Sequence, residues 1–296
     1  MVSPPAGLAA QNGVIVFQRG RNQNSHFVSV SPSGQGLRYI GPGPASELAP
    51  GDQGDAFSPD GQQIIFAAST AVNSGSEGSG IFTISVGGGA PRAILTSPGP
   101  PSSDSGEFFN SPAYFPSGQE IVFAAVVGYG SEYRIYAARA DGSDRRQLTS
   151  GYDDLEPHVS PDGSLIAFDR ITNHHSAIYT MASAGSPPRR ISARGCDASF
   201  TGFSPAGGRI VLAQVCRGKS EGIFTVAPDG SRARRLTRPR HGATDASPVF
   251  SPDGQSVAFL RVSRPEQRRL FTIGAGGSGL RRIADNASAP IWQPLP

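Results

Sequence analysis

The feature that most limits what this chain can fold into is a turn sequence, Ser-Pro-Asp-Gly or a close variant, that occurs five times. It reads Phe57-Ser58-Pro59-Asp60-Gly61 before Ile64-Ile65-Phe66, and Tyr114-Phe115-Pro116-Ser117-Gly118 before Ile121-Val122-Phe123. It returns as Val159-Ser160-Pro161-Asp162-Gly163 before Ile166-Ala167-Phe168, and as Phe203-Ser204-Pro205-Ala206-Gly207 before Ile210-Val211-Leu212. The fifth copy is Phe250-Ser251-Pro252-Asp253-Gly254 before Val257-Ala258-Phe259. Successive copies lie 57, 45, 44 and 47 residues apart, the period of propeller blades. The turn has a mechanism. Proline fixes φ at the first central position, aspartate tolerates the second, and glycine supplies the positive φ that closes a hairpin. The apolar runs on either side are therefore two antiparallel strands.

Two more strands follow each copy. The third reads Ile81-Phe82-Thr83-Ile84, Tyr133-Arg134-Ile135-Tyr136, Ala177-Ile178-Tyr179-Thr180, Ile223-Phe224-Thr225-Val226 and Leu270-Phe271-Thr272-Ile273. The fourth reads Arg92-Ala93-Ile94-Leu95-Thr96, Arg146-Gln147-Leu148-Thr149, Arg190-Ile191-Ser192, Arg235-Leu236-Thr237 and Arg282-Ile283-Ala284. Turns such as Ala140-Asp141-Gly142-Ser143 and Pro228-Asp229-Gly230-Ser231 join them. Four strands make one blade. The N-terminus supplies a second, third and fourth strand (Val14–Phe17, Phe27–Val30, Leu37–Ile40) and no first one. The C-terminal Ala289-Pro290-Ile291-Trp292-Gln293-Pro294 reads as the missing first strand, which would close the ring and remove its open edge. The expectation is an all-β, six-bladed β-propeller in one domain over residues 1–296, with a composite first blade from 13–42 and 288–294. Gly (38) and Pro (26) make about a fifth of the chain, as many short strands and tight turns require.

The pattern Pro-x-aromatic-Ser-Pro-Asp-Gly, then Ile-Ala-Phe, Ile-Tyr and Arg-Gln-Leu-Thr, resembles the TolB-like (WD40-like) propeller repeat and covers nearly the whole chain. No Trp-Asp dipeptide ends a blade, which separates it from WD40 proper. The resemblance leaves no stretch for the α/β domain that precedes the propeller in TolB. Functions tied to that domain, and to the Tol–Pal envelope system, are therefore not implied.

Strand order puts the Ser-Pro-Asp-Gly turns on one face of the ring and the blade-joining loops on the other. The second face varies in length and content (Gly41 to Asp55, Ser69 to Gly80, Ser97 to Ser111, Arg261 to Arg268), as a binding face on a rigid scaffold does. It also collects carboxylates: Asp52, Asp55, Glu77, Asp104, Glu107, Glu132, Asp153, Asp154, Glu156, Asp197 and Asp245. Asp55, Asp154, Glu156, Asp197 and Asp245, beside the first strands, are the candidates for a channel mouth that takes a cation or a basic peptide; His158 lies on the same strand as Glu156. Solvated loops with turn-capping aspartates would look the same in sequence. The arginine pairs Arg145-Arg146, Arg189-Arg190, Arg234-Arg235 and Arg281-Arg282 sit on fourth strands, where charge guards an edge against unwanted pairing.

Chemistry beyond binding finds little support. Gly274-Ala275-Gly276-Gly277-Ser278-Gly279 matches a dinucleotide fingerprint by letter but joins two strands of one blade. There is no Gly-x-Ser-x-Gly elbow, His-Glu-x-x-His or Cys-x-x-Cys. His174 and His175 are adjacent in a loop and point apart, and His158 and His241 share no ligand spacing with them. Some lyases with related propellers bind metal through channel histidines, so a lyase or hydrolase with a divalent cation is the alternative to a non-catalytic scaffold. Net charge is +3, and of 26 basic residues only Lys219 is lysine, the mark of a composition bias rather than of nucleic-acid binding. No apolar run reaches the ~20 residues that span a bilayer. A monomer that binds a protein or peptide partner is expected.

Cys196 and Cys216, the only cysteines, are nearly equidistant from the Pro205-Ala206-Gly207 turn, so a hairpin would set them opposite one another, and a disulfide is expected over two free thiols. A disulfide implies an oxidising compartment. The start Met1-Val2-Ser3-Pro4-Pro5-Ala6-Gly7 lacks a signal-peptide pattern, which fits either a cytosolic protein or the mature form of an exported one, and the expected disulfide selects the periplasmic or extracellular reading.

Overall fold

The computed structural model describes residues 13–19, 26–41, 49–50, 55–72, 76–97, 106–128, 132–216, 222–240, 242–264, 267–288 and 290–294. Six antiparallel sheets follow one another along the chain, and no helix occurs among the described residues. Three adjoining blades show the plan, innermost strand first. The fourth blade is Asp153–Val159, Leu165–Thr172, His175–Ala182 and Arg189–Arg190. The fifth is Cys196–Phe203, Ile210–Cys216, Gly222–Val226 and Arg234–Arg235, and the sixth is Thr244–Phe250, Ser256–Arg264, Gln267–Gly274 and Arg281–Asp285.

The aromatic positions of the repeat are explained by register. The second-strand aromatic faces the third-strand aromatic in Phe66↔Phe82, Phe123↔Tyr136, Phe168↔Tyr179 and Phe259↔Phe271. These rings stack at 5.9 to 6.1 Å and each adds ~0.5–1.5 kcal/mol to the burial of its area. Among the described residues the buried apolar side chains form six clusters, each made mainly by two neighbouring blades. Phe115, Val122 and Ile135 of the third blade meet Ile166, Phe168 and Met181 of the fourth, for example. The core is thus divided among the seams, and each blade is held by its neighbours.

The turn is a hydrogen-bonded unit. Ser58 Oγ donates to Asp60 Oδ1 at 2.5 Å, the Gln62 and Gln63 amides donate to Asp60 Oδ1 and Ser58 Oγ, and the Gly61 amide donates to the Ser58 carbonyl. Ser160 with Asp162 and Ser251 with Asp253 repeat it. These bonds hold the exposed Asp162 carboxyl down at about 2, with the Ser160 hydroxyl the largest cause.

Ring closure follows the sequence reading. The C-terminal strand, Ile291–Trp292, pairs with the first N-terminal strand, Ile15–Arg19, through Ile15↔Trp292 and Val16↔Ile291. Trp292 Nε1 donates to the Gly13 carbonyl at 3.1 Å. The innermost strands touch one another around the whole ring, and Ile291–Trp292 touches both Thr244–Phe250 and Ala56–Phe57. Gln293 Nε2 also donates to the Gly61 carbonyl at 2.9 Å. At Gly61 (φ +68°) a Cβ would stand 2.4 Å from the Pro294 carbonyl, so only glycine fits that closing contact.

The structure departs from the sequence reading in three places. The fourth strands of blades three to five are two residues long, Arg146–Gln147, Arg189–Arg190 and Arg234–Arg235. The next residue of the motif turns into the seam, and the hydroxyl of Thr149, Ser192 or Thr237 takes over the ladder by accepting the Ile135, Ile178 or Ile223 amide. Much of the expected loop from Ser69 to Gly80 is strand, because Gln63–Val72 and Ser76–Ser85 stay paired out to Val72↔Ser76. Most of the expected loop from Arg261 to Arg268 is likewise hairpin, with Arg264↔Gln267 the last pair.

Candidate functional site

Each innermost strand has one edge on its ladder and the other toward the ring axis. In four blades that strand carries a register shift, between Leu155 and His158 in blade four, Ala246 and Val249 in blade six, and at matching places in blades three and five. The inserted residue takes a left-handed backbone at Ser111 (φ 49°), Glu156 (φ 50°) and Ser247 (φ 50°). Such a φ is uncommon outside glycine, and bulges of this kind redirect a side chain. In blade four the redirected residue is a carboxylate.

Glu156 is half-buried, yet the channel wall displaces enough water to push its carboxyl up to about 7. His158 is half-buried on the same strand, and burial holds its imidazole down at about 4, so it is neutral at physiological pH. Asp55 is also half-buried and accepts from Gln18 Nε2 at 2.8 Å, which ties blade two to blade one.

The remaining expected site residues are placed differently. Asp154 is fully buried and held by a two-pronged pair from Arg170, Nε to Oδ1 at 2.7 Å and Nη2 to Oδ2 at 2.9 Å. Asp245 is fully buried against Arg261 in the same way, at 2.6 and 2.8 Å. Both carboxylates neutralise an arginine directly across the ladder, and neither presents a free charge to the mouth. Asp197 reaches sideways to His175 of blade four, 2.9 Å from Asp197 Oδ1 to Nδ1. Asp52, Asp104 and His241 lie outside the described residues, as does the side chain of Glu77.

Sequence reasoning missed the arginines and their covers. The Arg170 guanidinium lies 4.2 Å from the Tyr152 ring and 4.9 Å from that of Tyr179. Arg261 lies over Phe259 and Phe271. A signal was present, because Asp and Arg are 16 residues apart in both blades. Blade five has Ala198 opposite Gln214 at this level, and two residues outward Cys196 and Cys216 form a disulfide. Among the described residues no group of three or more His, Cys, Asp or Glu is arranged to hold a metal ion.

The family model of the TolB β-propeller domain matches residues 101–296. No curated protein matches the chain. Among solved structures, TolB from Acinetobacter baumannii is similar with a TM-score of 0.74 at 17% identity, over 95% of this chain and 67% of that one. A protein assigned as TolB from Agrobacterium tumefaciens gives 0.70 at 17% identity, over 97% and 99%. A chain of a nidogen/laminin complex gives 0.64 at 14% identity, over 92% of both. At such identities these likenesses establish a shared fold.

Proposed function

The chain belongs to the TolB β-propeller domain family, and from that membership we propose that it is a non-catalytic scaffold that holds a protein or peptide partner on its blade-joining face. Glu156 carries this reading. A carboxylate on a left-handed bulge of an innermost strand, in surroundings poor enough in water to move its pKa to about 7, is costly to keep and serves no ion pair among those of the described residues. The segment it receives is basic, with a lysine or arginine entering the channel mouth beside Glu156, His158 and Asp55. Asp154 and Asp245 fasten the strands that shape this mouth, and Asp197 with His175 forms its outer rim. The nidogen/laminin complex is an instance of a protein complex that contains a chain of this fold. The Cys196–Cys216 disulfide supports work in an oxidising compartment, hence export.

The test is titration of the whole chain with a tetra-arginine peptide. Affinity should rise between about pH 6 and about pH 8 as Glu156 loses its proton, and Glu156→Gln should weaken binding about tenfold and flatten that dependence. Equal, pH-independent binding by both proteins would remove the reading.

A further inference from the structure

The turn face, opposite the mouth, carries a cavity of about 380 Å³ at the seam of blades five and six. Its wall is apolar along Pro205, Ala206, Phe250 and Ala275, and its polar groups are Arg209, Arg234, Thr225, Ser204 and Asp253. That volume lies within the range of small-ligand pockets.

Two departures from the repeat meet here, and both make the cavity more positive. The turn aspartate, present as Asp60, Asp162 and Asp253 in three other copies, is Ala206 in blade five. Four residues after the turn proline, where other copies have Gln63, Glu120, Leu165 and Ser256, blade five has Arg209. Arg209 Nη1 donates to the Arg232 carbonyl at 2.7 Å, and Arg234 Nη2 to the Gly276 carbonyl at 2.7 Å. Backbone therefore positions both guanidiniums, and neither forms an ion pair among those of the described residues. The carboxylate in the lining, Asp253, is occupied by Ser251 Oγ and the Gln255 amide.

Thr225 supplies an independent observation. It lines the cavity, and its hydroxyl makes no hydrogen bond among those of the described residues, whereas the matching Thr180 in blade four donates to the Pro228 carbonyl. The hydroxyl is therefore left to face the cavity, where a ligand can accept from it.

We propose that this cavity binds a carboxylate carried on an apolar group, as in a small organic acid or the C-terminal residue of a peptide. Arg209 and Arg234 take the carboxylate, Thr225 donates to it, and Phe250 with Pro205 receives the apolar body. The probes are N-acetyl-leucine, its amide, inorganic phosphate, and a leucine-terminated pentapeptide with a free or amidated end. Each is titrated into the whole chain at up to about 10 mM while the Thr225 and Gly254 amide shifts are followed.

The free acids should saturate and the amides and phosphate should not. A tighter peptide identifies a chain terminus as the source, and a tighter N-acetyl-leucine a small acid. Arg209→Gln should weaken binding about tenfold. Ala206→Asp restores the turn of the other copies, so it should keep the fold while abolishing binding. No saturation by either acid, equal binding of acid and amide, phosphate binding as well as the acids, or unchanged binding by Ala206→Asp would each overturn the proposal.

Discussion

Blades four and six fasten the outer end of their innermost hairpin with a buried ion pair, and blade five fastens the same end with a covalent bond. Asp154–Arg170 and Asp245–Arg261 occupy one ladder level, at which blade five has only Ala198 opposite Gln214 and relies on Cys196–Cys216 two residues further out. The innermost strand has a single ladder partner and is interrupted by a bulge, so its end beside the blade-joining loops needs a second attachment. Any device that crosses from first to second strand will serve. The ion pairs themselves differ in cover. Tyr152 lies over Arg170, leaving that side chain 9% exposed, whereas Ala243 stands at the matching position in blade six and Arg261 is 19% exposed.

Asp154→Ala leaves a guanidinium buried without its partner and should cost about 3–5 kcal/mol in urea unfolding. Asp245→Ala should cost less, about 2–3 kcal/mol, because Arg261 can reach water more easily. Equal costs would show that the tyrosine cover is immaterial. Replacing both cysteines with serine removes a cross-link 20 residues apart in sequence, which the chain-entropy account values at about 3 kcal/mol. The hairpin turn already confines these strands, so the measured loss should fall below that value.

The smallest effect sharpens the contrast between structural and unspent carboxylates. The folded carboxyl of Glu156 is raised to about 7 from 4.5, so its contribution is whole below the unfolded value and is lost as pH rises through about 7. Glu156→Gln should therefore stabilise the protein by about 1–2 kcal/mol near pH 8, discounted because the side chain is only half-buried, and change little near pH 4. His158 acts in the opposite sense. Its folded value of about 4 lies below 6.5, so its contribution is present above the unfolded value and is lost as pH falls toward about 4.

What the sequence could reveal followed the range of the interactions concerned. The turns were legible because Ser58, Asp60 and Gly61 do their work within six residues, and ring closure because Trp292 had only one blade lacking a first strand. The short fourth strands were hidden, since in sequence Thr149 looks like one more β-forming residue and only the fold shows its hydroxyl capping Ile135. The paired hairpin out to Val72↔Ser76 was hidden by a Ser- and Gly-rich composition that reads as loop. At the site, Asp154 and Asp245 read as free acids because their arginines arrive from across the ladder. Glu156 stood out from them only once the bulge was seen, because a register shift leaves no mark in the hydrophobic pattern.

In the proposed function Glu156 is held unspent in a water-poor channel, while Asp154 and Asp245 are committed to ion pairs within the ring. Carboxyl-carbon NMR titration of the intact chain tests it directly. The Glu156 midpoint should lie near 7 and move toward its ordinary value when the tetra-arginine peptide is bound. A Glu156 midpoint near 4.5 in the free protein would contradict it.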